Sequence, residues 1–380
     1  MKIFLLVFIL FISISSLFGQ DKNERSIFVV DEIPVWKDPK RGDEVLQTDI
    51  DEVKIVKNRD SLKISGFEKF DAAIYIYTKE YRKRSDDVRQ IPSTKLMTQK
   101  NGVWMFQNKI YTGKFIDYYW SGKKKSEGTF KDGVLDGLST KYFTNGLKSA
   151  EIYFKNDIAS GLETKYYPDG SVKEKVEFID GKEEGIWESY FPNGQVKLRS
   201  IFKNGVAVDS GMLYYSSGLL KEKAVIKNGK VIHDKKNEKI NKLIEILKDF
   251  NQNGDDKGAL KTLSKILEID SLYAEAYSSI GSIKLNEMKF DEAIENYNTA
   301  LRLEPYFEDA LANRAFARIR KYQFGRVLKD NKEVTVITTK TKTEIPENEK
   351  IFICNDLKKA ILLGNNTDIV LDAEKEYCKQ

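Results

Sequence analysis

Five glycines, Gly122, Gly146, Gly170, Gly194 and Gly218, lie 24 residues apart without exception. Tyr118, Tyr142, Tyr166, Tyr190 and Tyr214 keep the same interval, and so do Phe130, Phe154, Phe178, Phe202 and Ile226. A further column, Gly113, Gly137, Gly161 and Gly185, ends at Asp209 and His233. A period this strict restricts residues 103–232 to one supersecondary unit copied and stacked. Each copy reads as a hairpin. Its first strand carries an aromatic pair such as Tyr118-Tyr119, Tyr142-Phe143 or Tyr190-Phe191. A tight turn follows, as in Asn145-Gly146 or Asp169-Gly170, where glycine permits positive φ. A second turn, Asp132-Gly133, Asp180-Gly181, Asn204-Gly205 or Asn228-Gly229, leads into the next copy; Asp157 breaks that column and predicts a looser turn. A lone hairpin cannot bury its apolar face, so the copies are expected to stack into an elongated antiparallel sheet. Paired aromatics point to opposite faces, which predicts one ladder in the core and the other exposed.

The spacing also aligns Lys125, Lys173, Lys197 and Lys221, with Ser149 interrupting the row. Such a row either guards a sheet from edge pairing or meets an anionic lipid or a glycan; the exposed aromatics could add stacking on sugar rings. The Tyr-Tyr, Asn-Gly and Lys columns resemble the variant MORN repeat family. Some members of that family carry an antitoxin label, with which an export signal is hard to reconcile.

An export signal is what the N-terminus suggests. Lys2 precedes an apolar run from Ile3 to Leu17, with Gly19 as a small residue at its end. Residues 1–19 therefore read as a signal peptide, too short to span a bilayer, and the mature protein is expected to be soluble in the periplasm or outer envelope. An N-terminal anchor helix is the alternative.

Residues 26–90 form a small module. Ile27–Val30, Val53–Lys57 and Ala72–Lys79 have strand patterns, and Val45, Leu46 and Ile50 have helical spacing, which together predict a βαββ unit. Val30-Asp31, Asp49-Ile50, Val53–Lys57, Gly66 and Ile74–Lys79 resemble the plug-like segment of TonB-dependent receptors. The resemblance implies a small envelope interaction domain, without channel plugging because no barrel follows; an unrelated α/β module is the alternative.

Beyond Lys235 the apolar period becomes helical. Tyr277, Ile280, Gly281, Ala293, Tyr297, Ala300 and Pro305 match the tetratricopeptide pattern over 274–307, with a degenerate copy before it and an interrupted one after it. Helical repeats are thus expected over 236–323, an insertion over 324–350 with a β-hairpin across Val334–Ile337, and a helical hairpin over 351–380. The tetratricopeptide resemblance implies a groove for a protein or peptide, lined by Glu275, Ser278, Ser282, Leu285, Asn286, Asp309, Ala312, Phe316 and Ile319. The family's carboxylate clamp is missing, since Ile244 and Lys248 stand where it needs Lys and Asn. The alternative is that the array merely packs on the sheet.

Two cysteines, Cys354 and Cys378, flank the midpoint of the last hairpin. Antiparallel helices would bring them together, and export would favour a disulfide over two buried thiols. The chain has one histidine, His233, read as a capping or linker residue. A Ser-His-Asp triad would depend on it alone, and His/Cys zinc sites lack ligands. Glu183-Glu184 is the remaining carboxylate pair and falls in a turn. With 63 basic against 58 acidic residues, charge gives no argument for nucleic acid. The expectation is a multidomain α+β protein, non-enzymatic and without cofactor or metal. It would be an exported interaction scaffold or, alternatively, a protein that binds glycan or anionic lipid surfaces.

Overall fold

The computed structural model describes residues 25–37, 43–227, 230–323, 328–330, 333–335 and 344–378. The signal-peptide reading and the Asn228-Gly229 turn fall outside them. By its contacts the chain divides into two units, residues 1–160 and 161–380.

The first unit opens with β1 (Ser26–Val30), β2 (Ile33–Pro34), β3 (Ile50–Val56) and β4 (Ala72–Thr78). They form one sheet in the order β2-β1-β4-β3, with β1 parallel to β4 and the other pairs antiparallel. The helix lies elsewhere than the spacing of Val45, Leu46 and Ile50 predicts. Residues 47–49 make only a 3₁₀ turn, and Ile50 already begins β3. The helix is α1 (Arg59–Ile64), between β3 and β4. Asn58 starts it by accepting the Ser61 N–H at 2.9 Å, and Leu62 anchors it in the core. Two short helices follow, α2 (Lys79–Arg82) and α3 (Asp86–Arg89).

The hairpin array begins later than expected. Residues 103–110 belong to a separate three-stranded sheet of β5 (Thr98–Lys100), β6 (Val103–Phe106) and β7 (Lys109–Ile110). The repeats start with β8 (Gly113–Tyr118) and β9 (Lys124–Lys131). In the first unit they continue through β10 (Val134–Leu135), β11 (Gly137–Tyr142) and β12 (Lys148–Lys155). The second unit carries β13 (Ile158–Tyr166), β14 (Val172–Ile179), β15 (Lys182–Tyr190), β16 (Val196–Lys203), β17 (Val206–Tyr214), β18 (Leu220–Lys227) and β19 (Lys230–Ile232), each antiparallel to the next.

The columns now have physical causes. The turn glycines from Gly122 to Gly218 all have φ between 83° and 88°. In one such turn the Gly170 N–H donates to the Tyr167 carbonyl at 2.9 Å, and a bulge follows. The strand glycines lie opposite the phenylalanines: Gly113 faces Phe130, Gly137 Phe154, Gly161 Phe178 and Gly185 Phe202. Asp157 does not loosen its turn. Asn156 and Asp157 take φ of 52° and 64°, close to the 52° and 79° of Asn204-Gly205. The Asp157 carboxylate holds this conformation by accepting the Leu135 N–H at 2.6 Å, while its own N–H donates to the Leu135 carbonyl at 2.8 Å.

Among the described residues the second unit is completed by seven helices: α4 (Lys235–Asn253), α5 (Asp256–Ile269), α6 (Ala274–Asn286), α7 (Phe290–Leu303), α8 (Glu308–Gln323), α9 (Glu347–Leu363) and α10 (Asp368–Tyr377). They pack as pairs. Gly281 is required in the second pair, because a Cβ there would lie 2.9 Å from the Tyr297 ring. The third copy is interrupted in sequence but complete in space: α9 packs on α8, with Arg314 paired to Asp356 and Arg318 to Glu349. As Arg314 precedes Arg318 while Asp356 follows Glu349, the two helices run antiparallel. Within the insertion, β20 (Leu328–Asp330) pairs with β21 (Glu333–Thr335), earlier in the chain than expected; the rest of the Val334–Ile337 segment lies outside the described residues. A disulfide joins Cys354 to Cys378, with Cα atoms 5.4 Å apart.

Two outcomes test this account. Asp157→Ala combines left-handed strain with a lost hydrogen bond and should cost about 2 kcal/mol, whereas Asp157→Gly relieves the strain and should stay within about 1 kcal/mol of wild type in denaturant melts. Replacing both cysteines by serine should destabilise the last helical hairpin by about 3 kcal/mol, read as faster amide exchange over 347–378.

Candidate functional site

The residues expected to line a groove divide into two sets. Ser278, Leu285, Ala312 and Ile319 are buried, so their side chains hold helices together and present nothing to a partner. Leu285, Ala312 and Ile319 belong to the same apolar core as Tyr297. Glu275 is engaged by Lys221 of the last hairpin, and its Oε2 is buried without a partner. The Ser282 hydroxyl lies 3.0 Å from that of Tyr297. Asn286 and Asp309 are exposed, with Asp309 accepting from Asn365 at 3.1 Å, and Phe316 is half-buried against the core. The accessible part of this face is therefore Ser282, Asn286, Asp309 and Phe316.

The array also packs on the sheet, as the alternative reading has it, along a seam within the second unit between the turn edge of the hairpins and the loops of the helical repeats; the sequence did not identify its residues. Neither aromatic ladder is exposed along this edge. Tyr167, Phe191 and Tyr215, the second members of their pairs, are only 5–6% exposed. The Tyr215 hydroxyl donates to Asp270 at 2.7 Å, and Lys236 reaches the same carboxylate at 3.0 Å. Glu304, one helical repeat after Asp270, accepts the Ser216 N–H at 3.3 Å. Phe191 stacks on Tyr306 with ring centroids 5.9 Å apart. The lysine row joins in: Lys173 lies 5.5 Å from the Tyr167 ring centre, Lys197 5.7 Å from Phe191 and Lys221 5.4 Å from Tyr215. In the first unit Lys125 repeats this arrangement over Tyr119 at 5.2 Å.

Two carboxylates at the same position of successive helical repeats titrate in opposite directions. Burial raises the pKa of Asp270, but hydrogen bonds from Tyr215 and Lys236 outweigh it and hold the carboxyl below its usual range. Glu304 is pushed upward, because burial and the nearby Glu275 outweigh its bonds from Ser216. Burial also drives the Tyr273 phenol up to about 12, and Glu275 adds to the effect.

His233 is exposed at the junction of β19 and α4, where its Nδ1 contacts Glu222. Among the described residues no group of three His, Cys, Asp or Glu side chains could hold a metal ion. Within them, too, no helix is long and apolar enough to cross a membrane.

A family model described as the MORN repeat variant matches residues 159–180 and 183–204. No curated protein matches the chain. Among solved structures, the TPR2B domain of yeast Sti1 in its pHsp70 complex is 17% identical, covers 37% of this chain and 97% of its own, and has a TM-score of 0.29. The second TPR domain of human RPAP3, in complex with an HSP70 peptide, is 14% identical over 38% of this chain and 99% of its own, with a TM-score of 0.28. The Arabidopsis OM64 TPR domain is 13% identical over 37% and 96%, also at 0.28.

The titration of Glu304 gives a signed prediction. An acid whose folded pKa is raised costs stability once the pH passes its ordinary range, and the cost is complete above the folded pKa. Glu304→Gln should raise the melting temperature by a few degrees at pH 7, and the difference should close at pH 4 and below.

Proposed function

We propose that this chain is a non-enzymatic interaction scaffold, exported to the cell envelope, whose helical repeats hold a protein or peptide partner. The observation that carries the reading is how its side chains are spent. The repeated tyrosines, and Lys221 of the lysine row, are engaged in seams between neighbouring elements, while Ser282, Asn286, Asp309 and Phe316 remain accessible on consecutive first helices of the repeats. An accessible row of mixed polar and aromatic groups on rigid helices suits an extended segment held by side-chain contacts. The Cys354–Cys378 disulfide supports an oxidising compartment, where such bonds persist. The apolar run from Ile3 to Leu17 supports export as the route there.

Cross-linking in native cells, followed by mass spectrometry, tests the reading. One discrete protein should be linked to peptides from 274–320, and Phe316→Ala with Asn286→Arg should abolish the link while leaving the melting temperature within a few degrees. Recovery of glycan or lipid alone, or a link indifferent to both substitutions, would remove the groove from consideration. Cell fractionation with and without residues 1–19 tests export separately: loss of the envelope fraction on truncation is expected, and an unchanged distribution would overturn it.

A further inference from the structure

The lysines of the seam are not all paired, although Glu308 and Asp169 lie near the Tyr167 ring. Lys221 has a carboxylate partner in Glu275, and Lys236 has one in Asp270. Lys197 and Lys359 have none among the described ion pairs, although each sits against one ring of a stacked pair. Lys197 lies 5.7 Å from the centre of Phe191 and Lys359 lies 5.0 Å from the centre of Tyr306, with the two rings 5.9 Å apart. Lys173, one hairpin before Lys197, repeats the arrangement over Tyr167 and is likewise without a described ion pair. Lys359 is half-buried, and burial lowers its pKa with Arg314 adding to the effect; the nearby Asp356 opposes it but is itself engaged by Nη2 and Nε of Arg314. A half-buried ammonium without its own counter-ion is costly, and rings hold it in place without neutralising it.

We propose that Lys197 and Lys359, on either ring of the Phe191–Tyr306 stack, and Lys173, over Tyr167 one hairpin away, form a docking surface for an acidic segment of a protein partner. The spacing fits an extended chain. Successive hairpins advance by two strands, about 9.6 Å, which places Lys173 and Lys197 about one three-residue step of an extended segment apart. A carboxylate arriving at Lys359 would supply the counter-ion that Asp356 does not. None of the three lysines is among Ser282, Asn286, Asp309 and Phe316, so their substitution tests this surface without altering those side chains.

The test uses the full chain and a fluorescein-labelled deca-glutamate peptide, followed by anisotropy. Binding should weaken steeply between 50 and about 200 mM salt. Lys197→Gln with Lys359→Gln should weaken it at least tenfold, while Lys239→Gln, an exposed lysine on α4, should leave it unchanged. Amide exchange over 161–323 matching wild type would show that the double variant still folds; Lys197→Arg with Lys359→Arg, which keeps the charge, should restore binding if it does not. Three results would overturn the proposal: no binding at 50 mM salt, equal loss in the Lys239 variant, or capture of phosphatidylglycerol vesicles in place of the peptide.

Discussion

The Tyr215–Asp270 hydrogen bond closes a series that would otherwise end unsatisfied. In the first unit the Tyr119 hydroxyl donates to the Tyr142 carbonyl, and in the second the Tyr167 hydroxyl donates to the Tyr190 carbonyl. Each is a tyrosine of one hairpin reaching the strand end of the next. Tyr215 belongs to the last copy and has no following hairpin. The carboxylate that ends α5 takes the place of the missing carbonyl, and Lys236 steadies it. A hydrogen bond to a charged acceptor contributes about 1.5–3 kcal/mol net, more than the carbonyl it replaces. The helical repeats thus serve as the terminal cap that a stacked array requires.

The first unit closes its leading hairpin by a different device. Asp31 is buried at the end of β1, where it accepts the Thr78 N–H and hydroxyl, both at 2.8 Å, and pairs with Arg84 at 3.1 Å. Burial raises its pKa in spite of these partners. Arg84 then passes the connection on: its guanidinium lies 3.5 Å from the centre of the Tyr118 ring and donates to the Gly122 carbonyl at 2.8 Å. The Val30-Asp31 pair, matched by sequence to a plug-like motif, therefore has a structural role here as the anchor between module and repeat.

How far the sequence could be read depends on where each signal lies. The hairpins were legible because glycine at positive φ and aromatics in register leave a periodic trace, and the cysteine pair was legible from helix direction. The α1 helix was not, because its signal is one capping residue, Asn58, and one buried leucine, Leu62, too few positions to show a period. Asp157 misled because sequence shows the loss of a glycine but not the Leu135 N–H that compensates it. The four buried groove positions were misread for a related reason: position in a helical repeat gives direction, while burial depends on how closely the neighbouring helix packs. Packing of the array on the sheet was one alternative, but the residues that meet were invisible because the seam joins a column of period 24 to one of period 34, and neither period refers to the other.

That the two periods can be joined at all follows from length. A hairpin adds two strands to a sheet, an advance of about 9.6 Å. A helix pair stacked on its neighbour advances by roughly one interaxial distance, 8–10 Å. Twenty-four residues of strand and thirty-four of helix therefore cover almost the same distance, which brings hairpin turns and helix loops within reach of one another. The contacts are not one to one. The last turn meets both loops, Tyr215 at Asp270 and Ser216 at Glu304, while one hairpin earlier Phe191 meets Tyr306 in the second loop. Because the match is nearly but not fully commensurate, equivalent residues cannot all find equivalent partners. Asp270 gains a phenol and an ammonium, whereas Glu304 gains only weak bonds to Ser216. The opposite titrations of these two acids follow from that difference in partners.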